Sequence, residues 1–525
     1  MSTERKLVMY DVRGIQKYIF RTAKVKDAIG ASKIIEEIIE KALKNAIDKI
    51  GGDLSADLEW CEENGPIKYE DNCKDIQVLY IGGGNAFVVY NTKELAVEVN
   101  KLMSKYVLEN TYSLQLAIAM VDKTENYSDD YEKLYKEMAK VKADMNVSKP
   151  IGALPVMDIE IKTGYPLIDG ENSTETSLKK KEGQKKRENE EENEKIIDSY
   201  VTKKGVDSNI AIVHIDGNNM GLRIRGIIQG IKEYGDAVNK MRKISYNINS
   251  SYKKVFKAMK NHFESLAKVD GKDNRHFVME VLVAGDDITY VCNAKIALST
   301  VEYYSKEISK YVMYEDTNDA ESRKKYGFSV CAGVAYVGSH FPFHAGYEVA
   351  EACCDNAKEK AKNADNKDGE RIGNFVDFQI CKNVHTKNLK ETRRREYKTA
   401  DGKDLLIRPY YIHVEEELQD EGKCKNKFEE IKTRDYCIDN LKNYIKFFQN
   451  EKKIPSSLMK KLRNTYSLGE IQLDIVKSFM DSRGWKLPEG KAFFENGKGK
   501  FYDALEMTDY YVEVEMVKEV VTSNE

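Results

Sequence analysis

No Cys-x-x-Cys pair occurs in the 525 residues, and the nine cysteines fall at irregular intervals. That pattern excludes a zinc ribbon and a regular disulfide framework, and argues for a reduced cytoplasmic protein. Long apolar runs are missing too. None approaches the length of a membrane span and the N-terminus lacks a signal-peptide pattern, so no membrane partner is expected. Neither sign of charge dominates: 84 Lys and Arg stand against 87 Asp and Glu. There is no global basic field of the kind that marks a free-standing nucleic-acid binder, although RNA contact through a partner stays open. The length suggests about three domains with ample core.

One short stretch carries concentrated chemistry. Val281-Leu282-Val283-Ala284-Gly285-Asp286-Asp287-Ile288-Thr289-Tyr290-Val291 reads as two buried strands joined by a Gly-Asp-Asp turn. Aspartate and glycine crowd hairpin turns for conformational reasons alone. Two adjacent carboxylates, however, repel each other unless a divalent cation neutralises them. A third carboxylate, Asp216, ends the apolar strand Ala211 to Ile215, 70 residues before Asp286. That gap holds a crossover helix, for which Tyr246 to His262 has the spacing. A strand-end Asp beside a hairpin Asp pair is how palm-type polymerases and nucleotide cyclases hold two Mg²⁺ ions. Asp216, Asp286 and Asp287 are therefore the candidate catalytic and metal-binding residues. The small polar turn after Asp216, with Gly217, Asn218, Asn219 and Gly221, suits backbone N–H groups directed at phosphate oxygens.

The same plan occurs earlier without the acids. Lys6 to Asp11 is a strand ending in Asp, and Tyr80 to Tyr90 is a strand–corner–strand around Gly82, Gly83, Gly84 and Asn85. Asp11 to Gly84 spans 73 residues, and aligning the copies sets Gly84 against Asp286 and Asn85 against Asp287. Each corner is followed by a helical stretch and another strand, Leu114 to Val121 or Phe328 to Val337. Each copy then has a helix with an Ala-Lys step, at Lys140 and at Lys358. The offset between copies is 205 residues at the first Asp and 218 at the Lys, which argues for internal duplication. The order strand, helix, strand, hairpin strand, helix, strand predicts a ferredoxin-like or palm domain in each copy. The expected fold class is thus α+β, with two ferredoxin-like palm domains and a C-terminal α-helical domain. The expected domains are 1–168, 205–385 and 386–525, with a charged linker over 169–204.

Asp11-Val12-Arg13-Gly14-Ile15-Gln16-Lys17-Tyr18-Ile19-Phe20, then Ala31-Ser32, resembles the start of the first palm in the large polymerase/cyclase subunit of type III CRISPR effector complexes. Ile81 to Asn85 resembles that domain's degenerate hairpin, and Lys162 to Pro166 its closing segment. Asp216 to Gly221, Ala284-Gly285-Asp286-Asp287 and Phe341-Pro342-Phe343 are similar to elements of the second palm. The likeness covers roughly residues 5 to 385, and Arg408-Pro409-Tyr410 only suggests the family's C-terminal region. It implies a metal-dependent nucleotidyltransferase that makes cyclic oligoadenylates from ATP for antiviral defence, with the palms holding nucleotides face to face. Asp216, Asp286 and Asp287, with Ile215 beside them, would hold two Mg²⁺ or Mn²⁺ ions. Gly285 would let the hairpin approach the phosphates, and Lys358 would neutralise triphosphate charge. Gly82, Gly83, Gly84 and Asn85 would bind nucleotide without catalysis. Implied partners are nucleoside triphosphates, effector-complex subunits or guide and target RNA, and a second copy of the chain. The hairpin reads Ala-Gly-Asp-Asp where the family usually has Gly-Gly-Asp-Asp, and no His-Asp dipeptide marks an HD nuclease domain. Those departures fit a reduced relative acting as a stand-alone signalling enzyme. The alternatives are a silent nucleotide-binding scaffold, or a cyclase with another cyclic product. A diguanylate cyclase is disfavoured because the hairpin runs on as Asp287-Ile288 rather than Glu-Phe.

Polar composition sets the remaining boundaries. Residues 171–195 lack apolar periodicity and read as a solvated linker. Arg393-Arg394-Arg395 is expected to face solvent. Beyond Tyr410, helical spacing over Phe428 to Asn450, from Ser456, and over Gln472 to Met480 predicts a small helical region.

Overall fold

Apolar runs become strands here because each finds partners. The first sheet comprises β1 (Lys6–Arg13), β2 (Ala56–Asp57), β3 (Ile76–Gly82), β4 (Asn85–Tyr90) and β5 (Gln115–Asp122), in the order β2-β3-β4-β1-β5. Helices α1 (Ile15–Phe20) and α2 (Val25–Ile50) follow β1, α3 (Lys93–Thr111) follows β4, and α4 (Tyr127–Asp144) follows β5. The protein is seen in a computed structural model that describes residues 5–21, 24–72, 74–145, 154, 156–185, 200–202, 207–269, 277–314, 326–363, 373–382, 388–413, 436–450, 454–488, 492–495 and 497–514. After α5 (Thr174–Lys185), the second sheet begins with β6 (Asn209–Gly217), α6 (Met220–Ile228) and α7 (Tyr234–Val269). It continues through β7 (Val278–Ala284), β8 (Asp287–Asn293), α8 (Ala297–Ile308), β9 (Val330–Gly338), α9 (Phe343–Asn363), β10 (Asn374–Ile380), α10 (Leu389–Glu396) and β11 (Tyr410–Ile412). Its strand order is β11-β10-β9-β6-β8-β7. Among the described residues, four further helices follow: α11 (Ile438–Gln449), α12 (Ser456–Tyr466), α13 (Glu470–Ser482) and α14 (Tyr502–Met507).

Stripped to their centres, both sheets are β-α-β-β-α-β units with antiparallel order, β5-β1-β4-β3 and β9-β6-β8-β7. This is the α+β, tandem palm-like fold that the repeat predicted. The two units interlock. One apolar core joins Val8, Tyr10 and Ile35 of the first to Ile212, Val281 and Val337 of the second. From α7 the buried Arg242 crosses to the first unit and donates to the carbonyls of Leu79, Ile67 and Val78 at 2.7–2.8 Å. Carbonyls that satisfy an arginine this fully make its burial tolerable.

Three expectations change. Within the linker expected at 169–204, Thr174–Lys185 is helix α5, docked on α2 so closely that a Cβ on Gly30 would sit 2.0 Å from the Lys179 carbonyl oxygen. Its buried face is made of charges that satisfy one another, which hid it from an apolar periodicity. Lys179 is buried, donating to Glu175 and to the Tyr18 carbonyl, both at 2.6 Å. Residues 186–199 lie outside the described residues. The expected boundary at 385 also falls inside a continuous unit. Strand β11 pairs with β10, and the C-terminal helices share the second sheet's core. Buried Asp503 of α14 binds the amides of Ile407 and Arg408 and the Tyr410 hydroxyl at 2.9–3.0 Å, which fixes that junction. Finally, Arg393 does not face solvent. Its guanidinium forks onto buried Asp377 at 2.7 and 3.0 Å, while Arg394 and Arg395 are exposed.

Helix α9 is held flat on β9 by Gly333, where a Cβ would meet the Ala350 carbonyl oxygen at 1.9 Å and the Cys354 nitrogen at 2.4 Å. Gly333→Ala should therefore destabilise the fold by about 1–3 kcal/mol or more through overpacking. Gly226→Ala, where a Cβ meets nothing within 4 Å, should be neutral or stabilising. Urea unfolding of both variants checks this, and equal stabilities would contradict the packing.

Candidate active site

Strand register brings the three acids together. Asp216 is the penultimate residue of β6, paired with Cys331 of β9, and Ile215 pairs with Ile288 just past the hairpin. Asp287 pairs with Ala284, which leaves Gly285 and Asp286 as a two-residue turn. Gly285 has φ +63° and Asp286 does not have positive φ. Only the first central position therefore requires glycine, as in a type II′ turn. In the first unit Gly83 and Gly84 have φ +60° and +77°, so both central positions favour glycine. Gly217 allows the close approach, since a Cβ there would meet Asp286 Cβ and Tyr252 Oη at 2.9 Å.

The electrostatics of this corner are severe. Burial first, then Asp216 and Asp286, pushes Asp287 up to about 8. Burial and Asp216 push Asp286 up to about 7. Asp216 is also raised by burial, against the opposing pull of Lys358. Lys358 Nζ donates to Asp216 Oδ2. Burial pulls that lysine down, but Asp216 more than offsets it and holds Lys358 above the ordinary lysine value. The lysine reaches there because Cys354, one turn earlier on α9, sits over Cys331, to whose carbonyl its thiol donates at 3.3 Å.

Two neighbours were missed by the sequence reading. His214, two residues before Asp216, approaches Asp287 Oδ1 at 3.5 Å, but burial and Lys358 push it down to about 3, so it stays neutral. Gln16, on α1 of the first unit, is the hydrogen-bonding group that pulls Asp287 back down. Phe20 on the same helix stacks on Tyr347 of α9, so the halves meet beside the acids.

The phosphate-turn residues separate into two groups. The Asn218 side chain is buried and spent on Ser329 Oγ and the Gly373 carbonyl, each at 3.2 Å, so it anchors the turn. Asn219 (φ +52°) precedes α6 without a side-chain cap, the first turn of α6 carries no acid, and Gly221 meets open space. The helix N-terminus is thus left for an anion. In the first unit, Lys140 does not mirror Lys358. It pairs with Glu137 at the surface, and Lys142 instead reaches Asp11 at 2.7 Å. A register signal existed: Lys142 follows buried Met138 by four residues, as Lys358 follows buried Cys354. Gly84 packs on Ile15, and among the described residues buried Asn85 Oδ1 has no hydrogen-bond partner.

Residues 209–369 match the family model described as Cas10/Cmr2, second palm domain. No curated protein matches the sequence. Csm1 in T.onnurineus is similar at 12% identity and TM-score 0.53, covering 97% of this chain and 69% of that one. A Csm1-Csm4 cassette in complex with cA3 gives 13% identity and TM-score 0.48 over 98% of this chain and 70% of that one. For a Csm1-Csm4 cassette in complex with pppApA the values are 12% and 0.42, over 68% of this chain, and the match spans about half (53%) of that chain's length. The second palm-like unit is thus similar to that of Cas10, and the Csm1 likeness supports the tandem palm fold. No helix among the described residues is long and apolar enough to cross a membrane.

Carboxyls that titrate near 7 and 8 when folded, against an ordinary 3.8, bind more protons in the folded chain than in the unfolded one. Their contribution is intact at acid pH and lost as pH rises from about 4 to about 8. Asp286→Asn combined with Asp287→Asn should therefore raise the unfolding temperature of metal-free protein near pH 8.5 and leave it almost unchanged near pH 4.5. The same shift at both pH values would contradict this electrostatic account.

Proposed function

We propose that this Cas10-like chain condenses ATP into cyclic oligoadenylates, with the chemistry in the second palm-like unit and the first helping to hold the nucleotide pair. The observation that carries this reading is the convergence of Asp216, Asp286, Asp287, Lys358 and the uncapped start of α6 at one end of one sheet. An all-oxygen set of carboxylates suits Mg²⁺ or Mn²⁺. Among the described residues the buried Asp287 Oδ1 has no hydrogen-bond partner, which fits a position waiting for a cation. The three aspartates would hold it, with the Ile215 carbonyl next to them. When bound, the cations supply charge neutralisation at the triphosphate and an acidified 3′-hydroxyl.

The chain's own groups do the positioning. The first amides of α6 and the Lys358 ammonium face the phosphates, so charge that develops on the leaving group meets fixed donors. The 3′-oxygen of one nucleotide bonds to the α-phosphorus of the other, the bond to the β-phosphate oxygen breaks, and pyrophosphate leaves while the hydroxyl proton passes to water. Gln16 orients Asp287 by a hydrogen bond, and neutral His214, bonded to Thr289, adds no charge beside it. In the first unit, the Asp11–Lys142 pair and the unpartnered Asn85 oxygen stand where the second has Asp216, Lys358 and Asp287. That arrangement supports binding without catalysis. A role as a subunit of a larger effector complex, or alone, is compatible with the same site.

Incubating the protein with each labelled nucleoside triphosphate and Mg²⁺ or Mn²⁺, with and without RNA, and resolving products by mass spectrometry tests this reading. ATP should give cyclic adenylate products, and Asp286→Ala with Asp287→Ala should reduce them by at least about a hundredfold. No product in any condition would favour the scaffold, and product that survives the double substitution would remove these acids from the chemistry.

A further inference from the structure

We propose that His413, Cys437 and Asp439 form a second metal site, suited to Zn²⁺, where the second sheet meets the C-terminal helices. Among the described residues, this is the group of three ligand types whose donor atoms all lie within 4.8 Å of one another. His413 Nδ1 is 3.0 Å from Asp439 Oδ2, and Cys437 Sγ is 3.8 Å from each of them. A tetrahedral Zn²⁺ with Zn–N and Zn–O near 2.0 Å and Zn–S near 2.3 Å needs an N···O edge of about 3.3 Å and edges to sulfur of about 3.5 Å. The triangle is already within a few tenths of an ångström of that size.

Backbone structure fixes the triangle. The Tyr411 amide donates to the Tyr436 carbonyl at 2.7 Å, and Tyr411 bridges to Cys437. That pairing sets His413, just past β11, alongside Cys437, the residue before α11, while Asp439 lies in the first turn of α11. The other oxygen of Asp439 is held by Lys442 at 2.9 Å, and Lys442 is itself paired with both oxygens of Glu302 at 2.8 and 2.9 Å. Ligating carboxylates are commonly oriented by such a partner, and here Glu302 offsets the lysine's charge. Cys437 is buried while His413 and Asp439 are partly exposed. A cation can therefore enter from solvent and keep a water as its fourth ligand. Thiolate and imidazole select a softer ion than the carboxylates of the palm site do. The site binds the end of β11 to the start of α11, so its effect falls on stability.

Stripping the full chain with a chelator and titrating it with Co²⁺, then displacing Co²⁺ with Zn²⁺, tests the proposal. Thiolate-to-cobalt absorption should develop with one equivalent and be lost on adding Zn²⁺. Cys437→Ser should abolish it, and His413→Gln and Asp439→Asn should each weaken Zn²⁺ binding by about tenfold or more. Zn²⁺ should raise the unfolding temperature of the wild type and of the Asp286→Asn, Asp287→Asn variant, and leave that of Cys437→Ser unmoved. His413→Gln, which keeps a hydrogen-bonding side chain, provides the comparison where the cysteine variant does not fold. Absence of the absorption, or its survival with unchanged affinity in these variants, would reduce the group to a hydrogen-bonded ion pair and overturn the proposal.

Discussion

Three carboxylates share the end of one sheet, and most of the second unit is arranged around the repulsion this creates. Glycine at 217 lets the hairpin come close, and glycine at 285 turns it so that an acid can follow. Glycine at 333 lowers α9 onto the sheet until Lys358 reaches Asp216. Gly217 and Gly333 give up a side chain to shorten a distance between charges, and Gly285 gives one up for the positive φ of the turn. One lysine does not balance three acids, and burial together with that imbalance displaces Asp286 and Asp287 upward. A fold that accepts this strain has placed electrostatic demand where a divalent cation and a triphosphate would meet it.

The second constraint is the coupling of the halves. Arg242 satisfies backbone carbonyls of the other unit, Phe20 stacks on Tyr347, and one apolar core runs through both. Asp11 with Lys142 repeats the geometry of Asp216 with Lys358, but the double-glycine turn beside it carries no acid. The two units thus share a frame, and the hairpin acids stand in the second. Because α1 touches both the acids and α9, a change of position in the first unit is felt at Asp287.

The acids and the alternating strand order were legible in the sequence because both depend on local pattern: apolar runs, a turn and carboxylates at strand ends. What was not legible depended on pairing across distance. Lys142 was passed over for Lys140 because an Ala-Lys step looks the same on either side of a helix until the buried face is known. Helix α5 reads as solvent-exposed linker because its buried residues, Glu175 and Lys179, are charged and satisfy each other. Asn218 reads as a ligand for phosphate, yet its amide is spent on Ser329 and Gly373. Arg393 reads as surface until Asp377, buried on β10, is set beside it.

At the proposed cation site, Asp286 and Asp287 hold protons that a bound cation would displace. Calorimetric titration of the full chain with Mn²⁺, in buffers of different ionisation enthalpy, measures the protons released on binding. Near pH 6.5, binding should expel protons from Asp286 and Asp287. Near pH 9 the release should vanish; Asp286→Asn with Asp287→Asn should abolish the release at pH 6.5 and most of the affinity at both pH values. Binding without proton release at pH 6.5, or binding unchanged by the double substitution, would contradict the account.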